Sequence, residues 1–415
     1  MELSPFYSPY ENKSSNSIYI NHQNTIVMKT LILIVAIALT SLVANANSCS
    51  LNSVKSYLGL NKLIIPPDGA SKIQVALLFD TSNSMDGLID QAKSRLWDIV
   101  NTLTTLKYEG KTPIIEIALY EYGNDGLPVV NNYIRQVAPL TTDLDLISEK
   151  LFALKTNGGS EYCGAVIQTS VKDLKWDDGI NTMKLVYIAG NEGFDQGGVH
   201  YKEAISRALK NNVYINTIFC GNKQEGISLL WQDGAMKGQG KYFNIDSDKK
   251  VEYIQTPYDT QINACNEKLN KTYIGYGKQG HSKKQSQIKE DANASSISQA
   301  NATERVVTKS KAVYKNSSWD LVDNVKDNES NLDKIQTEDL PAEYKGKSKE
   351  EIKKIVIEKS KERETIQKEI GDLAVKRQKY ITEKSKQSSK QDDLGSAIKT
   401  SIISFANAKG YKVEE

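Results

Sequence analysis

Asp80, Ser82 and Ser84 stand as Asp-x-Ser-x-Ser directly behind an apolar run, Ile73 to Phe79. On a turn leaving a strand, alternate side chains of such a triplet converge, setting a carboxylate and two hydroxyls over one point. A hard cation such as Mg2+ takes oxygen ligands of this kind at about 2.0–2.1 Å and keeps open positions for water or an anion. The same residues also suit an Asx turn that starts a helix. Other chemistries lack their residues. Three histidines and four cysteines, with no CxxC or HxxxH spacing, argue against zinc fingers, zincins and iron–sulfur centres. The sequence has no Gly-x-Ser-x-Gly elbow for a serine hydrolase. Metal-assisted hydrolysis needs a positioned base with a second metal or a histidine cluster, and no such cluster is visible. A binding protein rather than an enzyme is the expectation.

The elements that must position the triplet alternate. The run ending at Asp80 reads as a strand buried on both faces. Leu88, Ile89, Ala92, Leu96, Ile99, Val100 and Leu103 then recur at helical spacing, from a start at Asp86 or Gly87. Strands are expected from Ile114 to Tyr122 and from Tyr133 to Leu140. A helix from Leu144 to Leu154 follows the capping cluster Thr141, Thr142 and Asp143. Further helices are expected from Cys163 to Leu174, Tyr201 to Lys210 and Gly226 to Ala235. They are interleaved with strands from Lys184 to Ala189, Val213 to Cys220 and Gly240 to Ile245. Such alternation requires right-handed crossovers, so the fold class is α/β, a doubly wound, mostly parallel, Rossmann-like sheet. Ligands of these sheets bind at the carboxyl ends of the strands, where Asp80 falls.

Asp-x-Ser-x-Ser between an apolar strand and an amphipathic helix resembles the metal-ion-dependent adhesion site (MIDAS) of the von Willebrand factor type A (VWA) domain family, over about residues 70 to 250. The resemblance implies a Thr from a second loop and an Asp from a third. Thr156, Asn157, Gly158, Gly159 and Ser160 look like the second loop, with Ser160 in the Thr position. Val186 to Glu192 look like the third loop, but Gly190 falls at the Asp position, leaving Asn191, Glu192 or Asp195 to substitute. Glu161 beside Ser160 is another source of charge. So are Glu121 and Asp125, on the rim after the second strand. The metal-ligand set is thus Asp80, Ser82, Ser84, Ser160, Asn191 and Glu192, with Glu121, Asp125, Glu161 and Asp195 as an accessory or partner-binding rim.

At 415 residues the chain has room for two structured units plus accessories. Its 53 Lys plus Arg against 51 Asp plus Glu give no overall attraction to nucleic acid. Met28 and Lys29 precede the apolar run Leu31 to Leu39, and Ala44-Asn45-Ala46 follows as a cleavage site. This run is shorter than the ~20 residues a membrane span needs, so 28–46 reads as a secretory signal within an extension of residues 1–46. An uncleaved anchor is the alternative. The expected location is therefore periplasmic or extracellular, where disulfides persist. Cys163 and Cys220 are the first candidate pair and Cys49 with Cys265 the second, with free buried thiols as the other reading.

Residues 47–69 read as a linker, 70–256 as the sheet domain, 257–340 as a polar linker with helices, and 341–415 as a helical, partly coiled-coil region. In the last, Ile352, Val356, Ile366, Ile370, Leu373 and Tyr380 follow a 4,3 spacing that Lys359, Arg363 and Arg377 interrupt. This stretch serves self-association or a spacer, or is one solvated helix. The expected function is an exported binding or adhesion module. It recognises a protein partner's Glu or Asp through a divalent cation, Mg2+ first and Mn2+ or Ca2+ as alternatives. The competing expectation is a scaffold acting through its carboxyl-terminal helices.

Overall fold

Strand β1 (Lys72–Asp80) is buried along all but its first residue, because it runs through the middle of a six-stranded sheet covered on both faces. The computed structural model describes residues 71–385 and 394–414; the amino-terminal extension, the signal, the linker and Cys49 lie outside the described residues. The other strands of the sheet are β3 (Ile114–Tyr122), β4 (Ile134–Thr141), β5 (Thr182–Gly190), β6 (Val213–Cys220) and β7 (Gln239–Ile245). Their order is β4-β3-β1-β5-β6-β7. Only β4 runs antiparallel, at one edge. A small antiparallel pair joins β2 (Leu106–Lys107) to β8 (Lys412–Val413).

Alternation along the strands sorts two cores. Ile73, Val75, Leu77 and Phe79 face one, and Ala76 and Leu78 the other. The second face is covered by α3 (Cys163–Asp173), α4 (Tyr201–Lys210) and α6 (Trp231–Lys237). The first carries α1 (Asp86–Thr104) and α2 (Leu144–Phe152). The single helix expected from Gly226 to Ala235 is two, α5 (Lys223–Ser228) and α6. The break falls at Leu230, held at φ +69°, and the Leu229 carbonyl accepts from Phe194 N at 3.0 Å.

The first face is completed by α12 (Leu394–Ala408), near the far end of the chain. Leu394, Ala397, Ile398, Ile402 and Ala406 recur at three and four residues and join the core of β1 and α1. Gln91 ties the junction, accepting from Leu394 N at 3.0 Å and donating to the Asp246 carbonyl at 2.7 Å. Tyr411 then places its hydroxyl 2.9 Å from the Lys72 carbonyl and 2.6 Å from that of Asn181.

Between β7 and α12 the chain forms α7 (Asp259–Asn270), α8 (Gly277–Ile297), α9 (Gln299–Lys309), α10 (Leu321–Asp327) and α11 (Lys349–Ser385). Residues 257–340, which read as a polar linker with helices, form four of these helices, and α8 and α9 sit on α1 and α2. Their interior combines apolar residues such as Ile262, Leu269 and Ile370 with buried ion pairs. Buried Arg305 pairs with Asp145 of α2 at 2.7 Å and Asp291 of α8 at 2.6 Å, and lies over the Trp97 ring of α1. The 4,3 seam of α11 packs against α7 and α10 of its own chain, which corrects the coiled-coil reading. Arg363 and Arg377, taken as interruptions, are buried in that seam. Arg363 meets Asp320 and Asp323, each at 2.7 Å, and Arg377 meets Asp259 at 2.8 Å and Glu304.

The cysteine pairing is also corrected: Cys163, Cys220 and Cys265 are free and buried. Cys163 opens α3 in the core of the second face, while Cys220 ends β6 in the core of the first, so the sheet itself separates the two thiols.

Replacing Ile398 by Ala should cost about 2–5 kcal/mol in denaturant unfolding, as a buried residue of the sheet core. A far smaller loss would show that α12 is dispensable to the sheet. At the opposite end of the strands, Asp177 accepts from Lys72 at 2.8 Å and from Thr182 at 2.6 Å. Burial opposes ionisation, yet these bonds hold its carboxyl at about 2, below the ordinary 3.8. A carboxylate depressed on folding stabilises above its unfolded value, and that stabilisation is lost as pH falls through the folded one. Asp177→Asn should therefore melt below wild type at pH 7, with the gap closing between about pH 4 and pH 2.

Candidate metal centre

Asp80 ends the central strand fully buried. Its Oδ1 accepts from Ser82 N at 2.7 Å, which is the Asx turn. Its Oδ2 is buried with no hydrogen-bond partner, so the turn uses one oxygen and leaves the other open. Ser82 Oγ lies 3.3 Å from Ser84 Oγ, and Asn191 Nδ2 donates to Ser84 Oγ at 3.0 Å. Asn191 Oδ1 is likewise buried without a partner. The first three sequence-derived ligands and Asn191 are therefore brought together at the carboxyl ends of β1 and β5.

Backbone bonds fasten the neighbouring loops to this turn. Thr81 N donates to the Tyr122 carbonyl at 2.9 Å, Asn157 N to the Thr81 carbonyl at 3.0 Å, and Asp125 N to the Gly158 carbonyl at 2.5 Å. The second loop thereby delivers half-buried Ser160 and buried Glu161. Glu161 Cγ and Asp80 Oδ1 both lie within 3 Å of the place a Cβ on Gly123 would occupy, so the two acids stand close together. Burial raises both carboxyls above their ordinary range, and the charge of Asp80 raises Glu161 further. Two carboxyls in contact out of water need a proton or a cation between them. Among the described residues no Lys, Arg or His forms an ion pair with either.

The rim divides. Glu192 is exposed, gives its carbonyl to Trp231 Nε1 at 2.7 Å, and acts on Asp80 and Glu161 through its charge. Asp125 and Asp195 are exposed on the second-strand and third loops. Glu121 is buried and engaged by Arg135 on β4, with Thr81 Oγ1 at 3.4 Å. Thr156 Oγ1 donates to Asp86 at the start of α1, so its hydroxyl is committed there. Among the described residues no three His, Cys, Asp or Glu side chains gather closely enough to hold a metal.

Small residues make the cradle. A Cβ on Gly123 (φ +76°) would stand 2.7 Å from Asp80 Oδ1 and 2.8 Å from Glu161 Cγ. A Cβ on Gly159 would stand 1.7 Å from the Gly123 carbonyl oxygen. Tyr122 is the residue the sequence reading missed. It is the register partner of Asp80 across β1 and β3, fully buried, and its hydroxyl donates to the Ala189 carbonyl at 3.0 Å. The available signal was indirect: a glycine at 190, where an acid was expected, marks a larger neighbour.

No protein-family model matches the chain, and no curated protein matches it. Solved structures do. An aerotolerance-related membrane protein from Bacteroides fragilis NCTC 9343, carrying multiple mutations to serines, is 14% identical over 42% of this chain and 93% of that one, with a TM-score of 0.31. Proximal thread matrix protein 1 from the mussel byssus, with a zinc-occupied MIDAS motif, is 16% identical over 43% of each chain, with a TM-score of 0.34. The VWA domain of SpRpn10 is 16% identical over 42% of this chain and 88% of that one, with a TM-score of 0.30.

Gly159→Ala should lower stability by more than about 2 kcal/mol by wedging the second loop off the Gly123 backbone. A melting temperature equal to wild type would show that the two loops are not held in contact. Residues 72–245 thus carry the doubly wound, mostly parallel architecture that the type A resemblance implies, with the Asp80 turn at its expected end.

Proposed function

We propose that this chain is an exported binding module that recognises a protein partner by a Glu or Asp carboxylate, through a divalent cation held at Asp80. One observation carries the reading: Asp80 Oδ2 is buried and unpartnered at a strand end where paired serine hydroxyls follow in the same turn and a second acid, Glu161, lies beside Oδ1. An isolated carboxylate out of water is costly, so its open oxygen fits a ligand that brings positive charge. The donors are all oxygen, which suits Mg2+ first and Mn2+ or Ca2+ next. Asp80, Ser82 and Ser84 would hold the ion, with Asn191 beside Ser84 and Ser160 of the second loop as a further hydroxyl candidate. When bound, it supplies a coordination position that a partner's carboxylate oxygen can fill.

This chain's residues do the rest. The Asx bond fixes the Asp80 carboxyl, Asn191 orients Ser84, and the glycine cradle lets the loops close without a side chain between them. Binding without catalysis is part of the proposal. Secretion rests on the signal read in the sequence; no helix among the described residues is long and apolar enough to cross a membrane. The scaffold alternative has less support, since the α11 seam is buried on its own chain.

Calorimetric titration of Mg2+ or Mn2+ into the full chain should show one site that Asp80→Ala removes. Acetate, as the carboxylate probe, should then lower the water-proton relaxivity of the bound Mn2+ by displacing its water. Absence of binding, or equal binding by Asp80→Ala, contradicts the reading.

A further inference from the structure

Resting on that cation reading, we infer that Glu161 supplies the second carboxylate of the site, and that Tyr122 shuts position 190 to any acid. The two halves of the inference come from different atoms. A Cβ on Gly190 would lie 2.6 Å from Tyr122 Oη and 3.1 Å from both Cβ and Oδ2 of Asp80. Tyr122 cannot yield. Its ring is fully buried in the second core, and its hydroxyl is bonded to the Ala189 carbonyl and stands 3.7 Å from Cys163 Sγ. An aspartate at 190 would thus collide with a rigid, engaged side chain before its carboxylate reached the ion. The neutral phenol fills that place and adds no charge.

Glu161 stands on the other side of Asp80. Asp80 Oδ1 and Glu161 Cγ both come within 3 Å of one point above Gly123, so the two acids converge over a floor that only glycine permits. Glu161 is 5% exposed and, among the described residues, has no basic partner. The negative charge missing from the third loop is relocated to the second. Glu161 would supply charge to the ion from the second loop, and the third loop would offer Asn191 as a neutral oxygen donor.

Mn2+ titration of isosteric variants tests this. Glu161→Gln should weaken binding by about tenfold or more, as expected for one lost carboxylate ligand, with the native melting temperature kept or raised. Gly190→Asp alone should melt well below wild type and should not restore binding in the Glu161→Gln background. Adding Tyr122→Ala should relieve the melting defect and recover Mn2+ affinity in the triple variant. Native affinity in Glu161→Gln, or a Gly190→Asp chain as stable as wild type, overturns the inference while leaving the cation reading intact. A native chain that binds no Mn2+ overturns both.

Discussion

An unneutralised carboxylate at the end of the central strand is the constraint around which this fold is arranged. β1 can place Asp80 there only because both faces of the sheet are covered, and covering them removes the water that would solvate its charge. The loops after β1, after β3 and before α3 are then fastened to one another by backbone bonds, with Asn124 and Thr81 adding side-chain bonds between them. Asp80 Oδ1 closes its turn on the side of Glu161, while Oδ2, toward Gly190, is buried without a hydrogen-bond partner, so burial leaves the carboxyl an oxygen that a proton or a cation would satisfy.

The rest of the chain supports that end of the sheet from behind. Helix α12 closes the core that β1 shares with α1, although roughly 150 residues of chain separate it from β7 in sequence. The helices between them add buried arginines to an apolar core. Arg305 and Arg377 each lie between carboxylates from two elements, Arg363 meets the two carboxylates at the start of α10, and Arg305 and Arg363 also stack on aromatic rings. Such networks are costly to bury and costly to break, since removing one partner strands the others. They therefore fix how the helical layer sits on α1 and α2 more than they add net stability.

The legible parts of the sequence were those written in apolar periodicity. β3, β6 and α4 lie where their patterns place them, because each element is bounded by turn residues and buried on a regular face. The helical layer was illegible for the complementary reason. Beside its apolar contacts its interior pairs Arg with Asp and Lys with Asn, which a periodicity of apolar residues counts as solvated surface. Leu230 broke a helix that its propensity favoured, because the Leu229 carbonyl was taken by Phe194. At the site, Asp80, Ser82 and Ser84 were plain from spacing. Tyr122 was not, since its role arises from register across β1 and β3, and Gly190 recorded it only as an absence of volume.

Anomalous diffraction from a crystal of the full chain soaked in Mn2+ tests the central claim most directly. The account predicts one strong peak within bonding distance of Asp80 Oδ2 and the Ser82 and Ser84 hydroxyls, on the Glu161 side, with Tyr122 Oη outside the coordination sphere. An empty cradle at saturating Mn2+, or a peak elsewhere with Asp80 Oδ2 still unpartnered, would contradict it.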